Sequence, residues 1–132
     1  QLSELLAESD FVVLAVPLTP ETNKLMNGPR LAQMKPGSWL INVARGRLVD
    51  QRALLRALRN GPMAGAILDT IWEEPLPPSS PLWDAPGLII TPHTTWSSGR
   101  VLDRSIELFC DNLVRYREGR EMLNLVDPEA GY

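Results

Sequence analysis

The chain is 132 residues long and has only one cysteine, Cys110, and one histidine, His93. One thiol cannot form an internal disulfide and leaves too few sulfur ligands for a thiolate metal site. Cys110 falls among apolar residues at helical spacing, so a buried structural thiol is expected. No apolar run approaches the roughly 20 residues of a membrane-spanning helix. Positive charge is not in excess: 13 Lys and Arg stand against 16 Asp and Glu, a net charge of −3. The basic residues are scattered, which argues against a nucleic acid or an acidic membrane as partner. No Gly-x-Gly-x-x-Gly turn occurs, and no Gly-x-Ser-x-Gly elbow, so Ser97, Ser98 and His93 do not suggest a hydrolase. No donor cluster suggests a metal, and none is expected. Gln1 opens inside a helix-like segment, so no targeting signal can be read.

What is present is an alternation. Four apolar runs, Phe11–Val16, Trp39–Val43, Gly65–Leu68 and Leu88–Thr91, read as buried strands, and the first is nearly continuous, as for a strand covered on both faces. Helical patterns lie between them. Asn27 to Met34 carries Pro29 near its start. Asp50 can cap a helix with Ala53, Leu54, Ala57 and Leu58 on one face, and Gly61-Pro62 stops it. Residues 73–86 are proline-rich and read as a loop, with a turn at Leu82-Trp83. A last helix has Val101, Leu102, Ile106, Phe109, Cys110 and Leu113 as its stripe, Ser97 or Ser98 as cap and Gly119 as stop. There is no internal repeat. Strands alternating with helices predict an α/β fold with a parallel sheet. The ligand crevice of such a sheet lies beyond the carboxyl ends of its strands. The loops 17–22, 44–46, 69–74 and 93–96 sit there and hold nearly all the chemically interesting residues.

Four motifs make the reading specific. Val16-Pro17-Leu18-Thr19-Pro20-Glu21-Thr22, Asn42-Val43-Ala44-Arg45-Gly46, Gly65-Ala66-Ile67-Leu68-Asp69 with Glu74-Pro75 beyond it, and Thr91-Pro92-His93 occur in order. Together they resemble the C-terminal part of the D-isomer-specific 2-hydroxyacid dehydrogenases. The resemblance implies a Rossmann-type sheet, incomplete because the glycine-rich first βαβ unit and most of the substrate domain are not in this chain. It implies that residues 1–96 are the C-terminal half of an NAD(P)-binding domain, and that 97–132 are a helix and tail returning toward the substrate domain. It also implies an NAD cofactor, with NADP not excluded, a 2-keto or 2-hydroxy acid substrate, a cytoplasmic setting and a homodimer or other self-association.

The resemblance places the catalytic roles on Arg45, Glu74 and His93. Reduction of a 2-keto acid needs a hydride and a proton. Histidine, with an unperturbed pKa of about 6.5, can give that proton and take it back near neutral pH. Glu74 would hold the ring and favour its protonated form, while Arg45 would clamp the substrate carboxylate. Glu73 is the competing partner, since only the spacing from Asp69 and the following Pro75 select Glu74. A glutamate here, rather than glutamine, argues against the formate-oxidising relatives.

The cofactor residues implied are Pro17, Leu18 and Thr22 on the adenosine side, Val43, Ala44 and Arg45 near the nicotinamide, Asp69 near its carboxamide, and His93. Trp39, Trp72 and Trp83 read as packing residues. Trp96 replaces the small residues common after the histidine and is expected to line the substrate pocket. Without the phosphate-binding turn, the chain alone is expected to bind NAD weakly and to turn over nothing. A non-enzymatic NAD-sensing module on the same fold is the alternative, and the complete Arg–Glu–His set argues against it.

Overall fold

Four parallel strands form the centre of the computed structural model, which describes residues 1–130. They are β1 (Phe11–Leu14), β2 (Trp39–Asn42), β3 (Gly65–Leu68) and β4 (Leu88–Ile90), and they lie side by side in chain order. Helices α1 (Leu2–Glu8), α2 (Gly28–Ala32) and α3 (Gln51–Asn60) and a 3-10 turn (Gly46–Leu48) fill the connections, and α4 (Val101–Arg117) follows. The α/β fold with a parallel sheet is as expected. β1, β2 and β4 end before the carboxyl ends of their apolar runs, because the chain leaves the ladder to build the loops, while β3 matches its run. Residues 1–93 form one compact unit and those from Thr94 onward another. Gly131 and Tyr132, in the tail read from the sequence, lie outside the described residues.

The predicted helix signals have their physical counterparts. The Asn27 side chain accepts from the Arg30 N–H at 3.2 Å, and Asp50 accepts from the Ala53 N–H at 3.0 Å, each meeting one unpaired donor of a first turn. Helix α3 stops at Gly61, whose N–H donates to the Ala57 carbonyl at 2.7 Å, where a Cβ would meet that carbonyl oxygen at 2.5 Å. Gly119 closes α4 in the left-handed region, at φ +67°.

In-register rows show how the sheet is packed. Val12, Leu40, Ala66 and Leu88 form one row, and Leu14, Asn42, Leu68 and Ile90 the next. Most of these residues are buried, in one core with Leu6, Leu31, Leu54 and Leu58. The opposite face carries Phe11 and the row Val13, Ile41, Ile67 and Ile89. There Phe11 is 65% and Val13 55% exposed. The expectation that the first strand is covered on both faces is therefore corrected: side chains alternate across a strand, and β1 has only its Val12–Leu14 side packed. Cys110 is corrected too. Its thiol is exposed, and no residue of α4 is buried, although the apolar stripe runs along it. Ser97 and Ser98 do not cap that helix with their side chains; Arg100 precedes it, and the Val101 N–H reaches the Ser98 carbonyl at 3.1 Å.

Candidate active site

Asn42 ends β2 as a fully buried polar residue among apolar ones, and its side chain builds the turn that follows. Its amide nitrogen donates to the Arg45 carbonyl at 2.9 Å, and its oxygen accepts from the Ala44 N–H at 3.1 Å. Arg45 leaves that turn exposed, its guanidinium on the Ala44 carbonyl at 2.7 Å. The Val43 N–H donates to the Leu14 carbonyl at 3.4 Å, so the N–H groups of both Val43 and Ala44 are engaged within the chain. At Gly46 this turn meets the next one. A Cβ there would lie 2.2 Å from the Ile71 carbonyl carbon and oxygen, so only glycine admits the approach.

Beyond β3 and β4 the chain makes its densest polar corner. Asp69 is buried, and its carboxyl accepts from the Thr91 hydroxyl at 2.5 Å. Glu74 receives the Ile71 N–H on Oε1 at 2.9 Å, and its Oε2 lies 2.7 Å from His93 Nδ1. The Ile71 N–H first, and the His93 contact second, hold the Glu74 carboxyl below its ordinary value of 4.5. With Nδ1–H donated to Glu74, Nε2 is the ring nitrogen suited to exchange a proton. His93 has a left-handed backbone, φ +55°, with its N–H on the Thr91 carbonyl at 3.0 Å.

These groups border a cleft of about 430 Å³, whose apolar wall includes Ile71, Leu76, Trp83 and Ile90. Asp69, Glu74 and His93 are on its lining; Arg45 is not. Of the two adjacent glutamates weighed from the sequence, it is Glu74 whose carboxylate meets His93. Trp83, expected only to pack, is 55% exposed and lines the cleft, its Nε1 donating to the Pro77 carbonyl at 2.9 Å. Trp72 donates to the Val49 carbonyl at 2.8 Å, with the Lys24 ammonium 5.3 Å from its ring centre. Trp39 is half-buried over Gly65, where a Cβ would meet its ring at 2.5 Å. Trp96 falls in the second unit and is 65% exposed. The loop after β1 is self-braced: the Thr22 hydroxyl donates to the Pro17 carbonyl at 2.7 Å and accepts from the Thr19 N–H at 2.7 Å. Pro17 and Leu18 are exposed beside it.

Residues 1–95 match the D-isomer specific 2-hydroxyacid dehydrogenase, NAD binding domain. The chain belongs to that family. A D-isomer specific 2-hydroxyacid dehydrogenase from Xanthobacter autotrophicus, solved with NADPH and MES, is 44% identical with a TM-score of 0.89. The match covers 99% of this chain and 53% of that one. The NADPH-dependent glyoxylate/hydroxypyruvate reductase of Sinorhizobium meliloti, solved with NADP and sulfate, is 32% identical with a TM-score of 0.89 over 99% of this chain and 42% of its own. A curated relative, the glyoxylate reductase of Korarchaeum cryptofilum, is 41% identical over 98% of this chain and 39% of its own length. The chain spans about two fifths of the curated relatives it matches. Two residues that the sequence reading quoted only within motifs, Asn42 and Thr91, matter to the geometry of this site. Asn42 was signalled by an amide inside an apolar strand; Thr91 carried no signal beyond its place before Pro92-His93.

Proposed function

We propose that this chain supplies the acid–base half of an enzyme that transfers a hydride between NAD(P)H and a small 2-keto or 2-hydroxy acid. The observation that carries the reading is the 2.7 Å contact of His93 Nδ1 with Glu74 in a cleft beyond the carboxyl ends of the strands. Glu74, anchored by a backbone N–H, orients the ring; His93 Nε2 gives a proton to the carbonyl oxygen in reduction and takes it back in oxidation. Arg45, exposed and permanently cationic, binds the substrate carboxylate. The nicotinamide, when bound, supplies the hydride. The cleft fits its ring end, with a largely apolar wall and the buried Asp69 carboxyl to meet the carboxamide. Pro17, Leu18, Thr22, Val43 and Ala44 would lie along the rest of the cofactor. Both NAD and NADP are kept, and the two solved relatives above hold NADPH or NADP.

In this reading residues 1–96 belong to the nucleotide-binding domain, 97–132 return toward the substrate domain, and the setting is cytoplasmic. A homodimer or other self-association, as the family resemblance implies, would be checked by light scattering on the gene product.

The gene product that carries this chain, given NADH or NADPH and a panel of 2-keto acids including glyoxylate and hydroxypyruvate, should form the D-2-hydroxy acid. Cofactor binding with no turnover of any acid would replace this reading by the sensing module. The 132-residue chain alone should bind NADH weakly by calorimetry, because no phosphate-binding turn is in it. Micromolar binding would overturn that part.

A further inference from the structure

Every backbone and side-chain polar group of Thr91 is engaged at the candidate site. Its N–H donates to the Leu68 carbonyl at 3.0 Å, its hydroxyl to Asp69 at 2.5 Å, and its carbonyl accepts the His93 N–H at 3.0 Å. Asp69 in turn stands two residues before Ile71, whose N–H anchors Glu74, and Glu74 returns to His93. A closed ring results, in which Asp69–Thr91 joins the ends of β3 and β4 and Glu74–His93 joins the loops that leave them. We propose that Thr91 is a positioning residue of this acid–base pair: its hydroxyl, fixed on Asp69, sets the strand end from which His93 reaches Glu74.

The physical case has three parts. First, a buried carboxyl needs a donor, and the short contact marks a strong one. Second, His93 has a left-handed backbone, uncommon for a residue with a side chain, so the surrounding bonds must over-determine it. Thr91 provides the bond to the His93 N–H and is itself held by the hydroxyl. Third, displacement of a catalytic group by about 1 Å can cost on the order of 100-fold in rate, so a cross-link two residues from the proton donor acts on turnover. The same hydroxyl also orients Asp69, which the proposed function aims at the nicotinamide carboxamide. The inference rests on that reading for its meaning, but not for its geometry.

His93 is the only histidine, so its imidazole can be followed by NMR in the isotope-labelled 132-residue chain without cofactor. The Nδ1–H proton held by Glu74 should give a resolved downfield signal. Thr91→Val keeps the branched shape and removes the hydroxyl; the signal should be lost or broadened. Thr91→Ser should restore it. In the active gene product Thr91→Val should lower kcat about tenfold to 100-fold while KM for the keto acid stays within about threefold, and Thr91→Ser should recover most of the loss. An unchanged signal and kcat in Thr91→Val would overturn the proposal. So would a Thr91→Ser as impaired as Thr91→Val, which would leave only the methyl group as cause. If Thr91→Val fails to fold, Thr91→Ser against Thr91→Ala decides, since both lack the methyl and only serine keeps the hydroxyl; equal His93 signals would sink the idea. If the parent reduces no keto acid yet Thr91→Val erases the signal, the proposed function falls and the positioning role stands.

Discussion

The loops beyond β3 and β4 and those beyond β1 and β2 hold their polar groups in different ways. At β3 and β4 the bonds cross between elements: Thr91 to Asp69, and Glu74 to His93, over 22 and 19 residues of chain. In the turns that directly follow β1 and β2 the side-chain hydrogen bonds stay local, and the two stretches are joined farther on by backbone bonds from Lys24 and Met26 to Arg47 and Leu48. Thr22 is tied to Pro17 and Thr19, and the Arg45 guanidinium to the carbonyl just before it. Cross-links between elements fix a mutual geometry before anything binds, whereas local bonds shape a loop without aiming it at the other loops. The Glu74–His93 pair is therefore pre-set, and under the proposed function the Arg45 side chain is left to be placed by the substrate. The two regions touch where Gly46 packs on the Ile71 backbone and where Trp72 reaches the Val49 carbonyl and the Lys24 ammonium.

The largest effect should come from removing the donor. His93→Ala should lower kcat/KM for keto-acid reduction by about 100- to 10,000-fold. A loss below tenfold would show that the cross-linked corner is not where the proton is held.

Gly46→Ala tests the point of contact. The new Cβ must displace the Ile71 peptide, the anchor of Glu74, and such overpacking costs about 1–3 kcal/mol. Thermal melting should register that loss, and the His93 signal should shift with it. An unaltered melt and spectrum would mean that the Gly46 contact does not couple the two regions.

Glu74→Gln asks what the charge adds to the bond. An amide can keep a hydrogen bond to the ring but not the attraction to imidazolium. Reduction requires the protonated ring, so its upper pH limit should move down; oxidation requires the neutral ring, so its lower limit should move down too. Profiles that stay in place for Glu74→Gln but move for Glu73→Gln would reassign the partner. In the parent, the depressed Glu74 value means the charged form favours the folded loop. That contribution is complete above the ordinary value of 4.5 and fades as pH falls through the lower folded one, so acidification should loosen the His93 signal only below that range.

Thr22→Ala should have the smallest effect, about 0.5–1.5 kcal/mol of stability, because water can replace the two hydrogen bonds its partly exposed hydroxyl makes. It should raise KM for the cofactor, hold kcat, and leave the His93 signal unchanged. A fall in kcat would erase the contrast between the two regions.

Much of this was legible in the residues themselves. Apolar runs placed all four strands, because a strand in a parallel sheet must be apolar on the side it buries. Asn27, Asp50, Gly61 and Gly119 marked helix ends through local chemistry, which depends on a few neighbouring atoms. Glu74 and His93 were paired by motif and spacing, and their contact followed. The failures have a common cause. An apolar stripe shows which face would be stabilised by cover, not whether the same chain provides it, and so Phe11, Val13 and Cys110 were expected to be buried and are exposed. Trp83 was read as packing and Thr91 was quoted only within its motif, because their roles depend on contacts far along the chain: a cleft wall for one, and a bond to Asp69 across the strand ends for the other.

The order of the strands bears on how the fold is reached. β2, β3 and β4 each pair in parallel with the strand just before them, about 25 residues back along the chain. Loop closure is therefore moderate and nearly equal at every step, and the sheet can grow by adding one strand and its connection at a time. Asp69 and Glu74 leave β3 and gain Thr91 and His93 only when β4 docks, so amide exchange at Thr91 and His93 should report the docking of β4.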